Sequence, residues 1–171
     1  MKVLIVSDIH CGYKYMKKVF EDNTDFDMML ILGDILAGPV TDFKEELIAL
    51  LNSYSEKIIA VRGNCDGYDV ESLAFPVKDI YNKYMINHKL VFMTHGHEYS
   101  RSHLPEIDFD IFMSGHTHIP VMERVGDKLF LNPGSITLPK GMSNNSYIRY
   151  EDGVFYLMDL INNTVIKSIE I

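Results

Sequence analysis

Apolar residues recur along this chain in short blocks, and five of those blocks stop at a polar cluster. Val3 to Val6 runs into Asp8 and His10, Met28 to Leu32 into Gly33-Asp34, and Lys57 to Val61 into Gly63-Asn64-Cys65-Asp66. Further on, Leu90 to Met93 leads to His95-Gly96-His97, and Ile111 to Met113 leads to Gly115-His116-Thr117-His118. Short uninterrupted apolar blocks are how strands of a sheet covered on both faces read in a sequence. Ligands of open α/β sheets sit beyond the carboxyl ends of the strands, so five polar clusters at five strand ends would meet in one place.

Between the blocks the period changes. Met16, Val19 and Phe20 follow the Asp8-His10 loop at helical spacing. Thr41 to Tyr54 carries Phe43, Leu47, Leu50, Leu51 and Tyr54 on one helical face, with Thr41, Glu45 and Glu46 marking a start near Thr41. With the strand at 57–61 this predicts a βαβαβ run with parallel strands. The second half predicts hairpins instead. Asp79 to Ile86 and Lys89 to Met93 flank Asn87-His88, Val121 to Arg124 and Lys128 to Leu131 flank Gly126-Asp127, and Ser146 to Tyr150 and Val154 to Asp159 flank Asp152-Gly153. A last strand falls near Val165 to Ile169. So many strands with so few helices predict two sheets packed face to face with helices outside.

At 171 residues the chain is expected to form one domain over 1–171, with 47% hydrophobic and 23% charged residues. A net charge of −8 leaves no broad cationic footprint for nucleic acid or anionic lipid. No apolar run reaches the roughly 20 residues of a membrane span, and Val3 to Val6 is too short for a signal-peptide core. Cys11 and Cys65 make no disulfide framework, so a reducing, cytoplasmic setting is expected.

The clusters differ in what they say alone. Asp8-x-His10, read as alternate residues on one strand face, could grip a cation, yet a solvated Asp beside a chance His is the commoner meaning of such a pair. Gly33-Asp34 and Gly63-Asn64-Cys65-Asp66 are ordinary turn chemistry in isolation. The histidines change this: five of the seven fall in the clusters, as His10, His95, His97, His116 and His118. Imidazoles with carboxylates and no thiolate set point to Mn, Fe, Zn, Co or Ni rather than a structural zinc knot. His88 and His103 read as surface residues of a hairpin and a loop. Asn132-Pro133-Gly134-Ser135 is a turn at another strand end, a candidate wall of the site.

Taken in order, Asp8-x-His10, Gly33-Asp34, Gly63-Asn64-x-Asp66, His95-Gly96-His97 and Gly115-His116-Thr117-His118 resemble the calcineurin-like metallophosphoesterase superfamily from Asp8 to about Ser135. The short length is most similar to its small prokaryotic phosphodiesterase branch. The resemblance implies an α/β fold, a four-layer αββα sandwich of two mixed β-sheets flanked by helices. It also implies two divalent metal ions, Mn first, with Ni, Zn, Fe or Co as alternatives. Asp8, His10 and His118 would hold one ion and Asn64, His95 and His116 the other, with Asp34 bridging. A hydroxide between two such ions could attack a phosphodiester, and Asp8, Asp34, two dications and the hydroxide together leave about +1 for an anionic substrate.

The catalytic candidates are His97, Asp66 and Cys65. Cys65 departs from the His that many relatives carry as proton donor, which leaves His97 to contact or protonate the substrate, while Asp66 would orient a ligand or a nearby His. The resemblance further implies a small phosphodiester substrate and a homo-oligomer, dimer or tetramer. No membrane partner and no strong nucleic-acid binding are expected. Two other readings share the fold: a non-catalytic scaffold like the retromer subunit, and a nuclease.

Overall fold

The computed structural model describes residues 1–39 and 43–171. Eleven strands form among them: β1 (Lys2–Val6), β2 (Met28–Ile31), β3 (Ile58–Ala60), β4 (Tyr81–Ile86), β5 (Lys89–Thr94), β6 (Ile111–Met113), β7 (Val121–Val125), β8 (Lys128–Asn132), β9 (Ser146–Glu151), β10 (Val154–Asp159) and β11 (Thr164–Glu170). Two α-helices accompany them, α1 (Tyr13–Asp22) and α2 (Lys44–Asn52). The strands make two mixed sheets, a six-stranded one in the order β11-β10-β9-β1-β2-β3 and a five-stranded one in the order β4-β5-β6-β8-β7. As expected, β1, β2 and β3 are parallel neighbours, and β4-β5, β7-β8 and β9-β10 are antiparallel pairs. The helix expected from Thr41 is seen as α2 from Lys44; its expected start lies outside the described residues.

Strand β1 shows why its run is continuous rather than alternating. Val3 and Ile5 face the other sheet, joined there by Val91, Met93, Ile111, Met113, Leu129 and Leu131, while Leu4 and Val6 face Met16, Val19 and Phe20 of α1 and Leu47 and Leu51 of α2. A strand covered on both faces has no solvated positions for polar residues. Each such side chain contributes about 1.5–3 kcal/mol by leaving water.

Both α-helices pack on the outer face of the six-stranded sheet, whereas the outer face of the five-stranded sheet is covered by a loop. The outer face of the five-stranded sheet carries Phe92, Phe112 and Phe130, covered by Phe109, Ile107 and Tyr99. Among the described residues, the segment 95–110 that supplies this cover contains no helix. His88 and His103 are exposed, as expected of turn and loop residues.

The architecture points strand ends at each other. The parallel strands β1, β2 and β3 of one sheet and β5, β6 and β8 of the other all release their carboxyl ends toward the same rim. Every polar cluster lies in a loop leaving one of these ends.

Candidate metal centre

The loops after β1 and β2 continue the parallel pairing in irregular form. Asp8 N–H donates to Gly33 O at 3.1 Å, His10 N–H to Asp34 O at 3.0 Å and Cys11 N–H to Ile35 O at 3.0 Å. Asp8 and His10 do not sit on a strand face, contrary to the alternation read from sequence. Both lie beyond β1 in left-handed backbone, with φ of 52° and 45°, and Asp34, His116 and His118 share that conformation at 54°, 66° and 59°. Left-handed turns cost non-glycine residues energy, so their concentration here marks strain held by the surroundings.

Glycines make the approach of the loops possible. Gly33, at φ +91°, lies so near the next loop that a Cβ would come within 2.7 Å of Gly63 N. A Cβ on Gly63 would strike the Asp34 carboxylate.

Three histidines are oriented the same way. His10 Nδ1 lies 2.6 Å from Ala37 O, His95 Nδ1 2.7 Å from Leu32 O, and His118 Nδ1 2.6 Å from Leu138 O. A carbonyl can only accept, so each Nδ1 carries the proton and each Nε2 is left as a lone-pair donor aimed at the cleft. His10 Nε2 and His118 Nε2 face each other at 3.3 Å, both within 4 Å of Asp8 Oδ1, at 3.9 and 3.2 Å. On the other side His95 Nε2 is 3.3 Å from Asp34 Oδ2 and 3.1 Å from Asn64 Oδ1. Asp34 Oδ2 also lies 3.7 Å from His10 Nε2, which puts that carboxylate between the two groups. Ligating atoms of Asp8, His10 and His118, and again of Asp8, Asp34 and His95, fall within 4.8 Å of one another.

His116 completes the second group less tightly; it is exposed, with its ring centroid 5.1 Å from that of His95. Its N–H donates to Asp8 Oδ2 at 3.0 Å, tying the two sheets together. All seven residues expected as metal ligands are thus gathered at one rim.

The electrostatics of this set call for positive charge. Asp8 and Asp34 are almost wholly buried, and Asp8 Oδ1 has no hydrogen-bond partner. Burial works against the charged form of Asp34, but His95 and the Cys65 N–H outweigh it and hold the carboxyl well below its usual range. Burial also opposes protonation of His95, yet the Asp34 and Asp8 carboxylates raise it; Asp8 raises His118 against a smaller burial effect. Facing imidazole lone pairs beside an unpaired buried carboxylate oxygen are stable only around a cation or shared protons, and the N/O donor set suits a divalent transition ion.

The remaining expected residues take different places. The Asp66 carboxylate is buried and turned away from the cleft: Oδ2 accepts from Asp34 N (2.9 Å) and Gly63 N (2.8 Å), and Oδ1 from Ile35 N (2.7 Å). Of the two expected partners, a ligand or a nearby histidine, it holds a candidate ligand, Asp34, through the backbone of its loop. Cys65 donates its N–H to Asp34 Oδ1 at 2.9 Å and exposes its thiol at the cleft. Solvent is shut off from one side of that thiol, and this desolvation together with the Asp34 carboxylate pushes it up to about 11. His97 is half-buried, its ring centroid 5.4 Å from that of His95 and its Nδ1 without a partner. Burial and the neighbouring His95 lower its pKa, which favours a neutral ring at pH 7.

A brace behind the site went unread in the sequence. Asn132 Nδ2 donates to Gly115 O (2.8 Å) and Thr117 Oγ1 (3.2 Å), and Ser135 Oγ donates to Asp8 O (2.7 Å). The Asn132-Pro133-Gly134-Ser135 turn signature was the available signal, but it says nothing about what the turn holds. An open cleft of about 430 Å³ lies over the candidate ligands, bordered by Ala37, Gly38, Leu138 and the equally unanticipated Lys140.

Comparison with known proteins agrees with this geometry. Residues 1–151 match the model of the calcineurin-like phosphoesterase superfamily domain. Phosphodiesterase YfcE of Escherichia coli strain K12 is 33% identical over 100% of this chain and 98% of its own length. The solved structure of the E. coli phosphoesterase YfcE superposes with a TM-score of 0.89 at 31% identity, covering 100% of both chains. A Vps29 mutant from Entamoeba histolytica superposes at 0.70 with 21% identity, covering 100% of this chain and 99% of its own, a likeness of fold alone.

Proposed function

The chain belongs to the calcineurin-like phosphoesterase superfamily, and we propose that it is a phosphodiesterase whose cleft holds two divalent cations. Asp8, His10 and His118 would hold one, Asn64, His95 and His116 the other, with Asp34 shared. The observation that carries this reading is the pair of imidazole Nε2 atoms facing at 3.3 Å beside the unpaired Asp8 Oδ1, with His95 mirroring them across Asp34. When bound, such cations supply Lewis acidity to the phosphoryl oxygens and acidify a water for use as nucleophile.

The protein's own part is to fix that arrangement before substrate arrives. The carbonyls of Leu32, Ala37 and Leu138 set the tautomers of His95, His10 and His118, Asp66 holds the Asp34 backbone, and Asn132 and Ser135 fasten the opposing loops. Preorganised donors need no rearrangement as charge develops in the transition state. Asp8 and Asp34 offset only −2 of the +4 of two dications, so the cleft favours an anionic ester. His97, beside the site, would contact the substrate; its lowered pKa leaves the ring without a proton to give the leaving group at pH 7, so of its two expected roles contact is the one proposed.

A diester fits better than a monoester because Cys65 occupies the position where many relatives carry a His donor, and because the full-length relative at 33% identity is a phosphodiesterase. A pure scaffold has no need of all seven ligand positions. Tight nucleic-acid binding is disfavoured by the −8 charge. Among the described residues no helix is long and apolar enough to cross a membrane. Manganese as the cation, a cytoplasmic setting and a homo-oligomer belong to the same reading.

The test is turnover of bis(p-nitrophenyl) phosphate with added Mn²⁺. The wild-type chain is expected to hydrolyse it, and Asp34→Asn and His116→Ala to abolish turnover. Undiminished turnover in either variant would remove the two-cation assignment.

A further inference from the structure

Resting on the phosphodiesterase reading above, we infer that Lys140, on the rim of the cleft, selects diesters that carry a second negative charge beside the reacting phosphate. Lys140 borders the same cleft as His10, Asp34, Asn64, His116 and His118, and among the described residues it is the one Lys or Arg that does so. Its backbone is pinned: the N–H donates to His118 O at 3.1 Å, and its carbonyl accepts from Ser143 N (3.2 Å) and Ser143 Oγ (2.7 Å). The side chain thus swings from a fixed base directly after the segment that orients His118.

The ammonium has no carboxylate within ion-pair distance among the described residues, as is also true of Lys14, Lys57, Lys78, Lys83 and Lys167, whereas Lys2, Lys17, Lys18, Lys44, Lys89 and Lys128 are paired. What sets Lys140 apart from the other unpaired lysines is its place: it alone among the described Lys and Arg residues lines the cleft, so its charge stands at the mouth of the site in a chain of net charge −8. The floor of the cleft, where Asp34 and His95 are buried, would take the single charge of the reacting diester. Lys140 is exposed at the lip, so the anion it meets is on the organic group that projects outward. The substrate class is a phosphodiester with a carboxylate or further phosphate on its retained group.

Two diesters with one leaving group test this: p-nitrophenyl 2-carboxyethyl phosphate and p-nitrophenyl propyl phosphate, which differ in the terminal charge. The measured quantity is the ratio of their kcat/KM values. Lys140→Ala is expected to lower the ratio, carboxylate over propyl, by about fivefold through KM, the upper range for an exposed pair of opposite charges. Lys140→Glu should lower it further, and Lys140→Arg should retain it. Calorimetric binding of 2-carboxyethyl and propyl methylphosphonate should show the same preference and the same loss, without turnover.

A ratio unmoved by Lys140→Ala, or both substrates falling together, overturns the assignment while the phosphodiesterase reading stands. Hydrolysis of neither diester by the wild-type protein sinks that reading and this inference with it.

Discussion

Replacing Asp66 separates a residue that holds the site together from one that takes part in the reaction. Its carboxylate is buried at 4% exposure and accepts three backbone N–H groups, from Asp34, Ile35 and Gly63. Asp66→Ala leaves three buried donors without a partner. Each unsatisfied donor costs about 1–3 kcal/mol, and since relaxation and water entry are shared among adjacent groups, the net loss should be about 3–6 kcal/mol. Asp66→Asn, with its oxygen in the place of Oδ2, keeps the bonds from Asp34 and Gly63 and loses that from Ile35, so about 1–3 kcal/mol is expected. Against a typical total of 5–15 kcal/mol that loss takes a large share of the stability, so Asp66→Asn serves as the variant that still folds. The assay is urea denaturation of chelator-treated protein, comparing midpoints at constant slope. Free of metal and substrate, it sees the structural role alone. A loss below about 1 kcal/mol for Asp66→Ala, with turnover nonetheless abolished, would refute the reasoning and return Asp66 to the chemistry.

Two further substitutions probe the loops from other sides. Gly63→Ala drives a methyl group into the Asp34 carboxylate and should weaken Mn²⁺ binding at least tenfold, measured by calorimetry; unchanged affinity would mean that Asp34 is not held where it is seen. Asn132→Ala cuts the bonds to Gly115 O and Thr117 Oγ1, freeing the segment that carries His116 and His118, and should cost about 10–100-fold in metal affinity with an unchanged far-ultraviolet circular dichroism spectrum.

The strands and their ends were legible because burial on both faces of β1 and β2 writes an unbroken apolar run, and the parallel register then carries Asp8, Asp34, Asn64, His95 and His116 to one rim. What the sequence hid is backbone chemistry. Asp8, His10, Asp34, His116 and His118 adopt positive φ, which no residue type announces, so alternation on a strand was the wrong account of how Asp8 and His10 meet. The carbonyls of Leu32, Ala37 and Leu138 fix the histidine tautomers, yet every residue has a carbonyl, and their selection arises from the fold. Asp66 was expected to orient a ligand or a nearby histidine, and what it holds is the backbone of Asp34; that it does so through three amides depends on the close approach of Gly63 and Asp34, a contact made in three dimensions. The outer cover of the five-stranded sheet escaped reading as well, since Tyr99, Ile107 and Phe109 act from a loop with no helical period.

Seven side chains from five loops are proposed to hold two cations. Metal content after reconstitution with Mn²⁺ and removal of the excess, by inductively coupled plasma mass spectrometry, addresses this most directly. Two equivalents per chain are expected for the wild type and fewer than one for Asp34→Asn, since the shared carboxylate would serve both positions. A wild-type chain that retains no metal, or an Asp34→Asn variant that still holds two equivalents, would contradict the assignment.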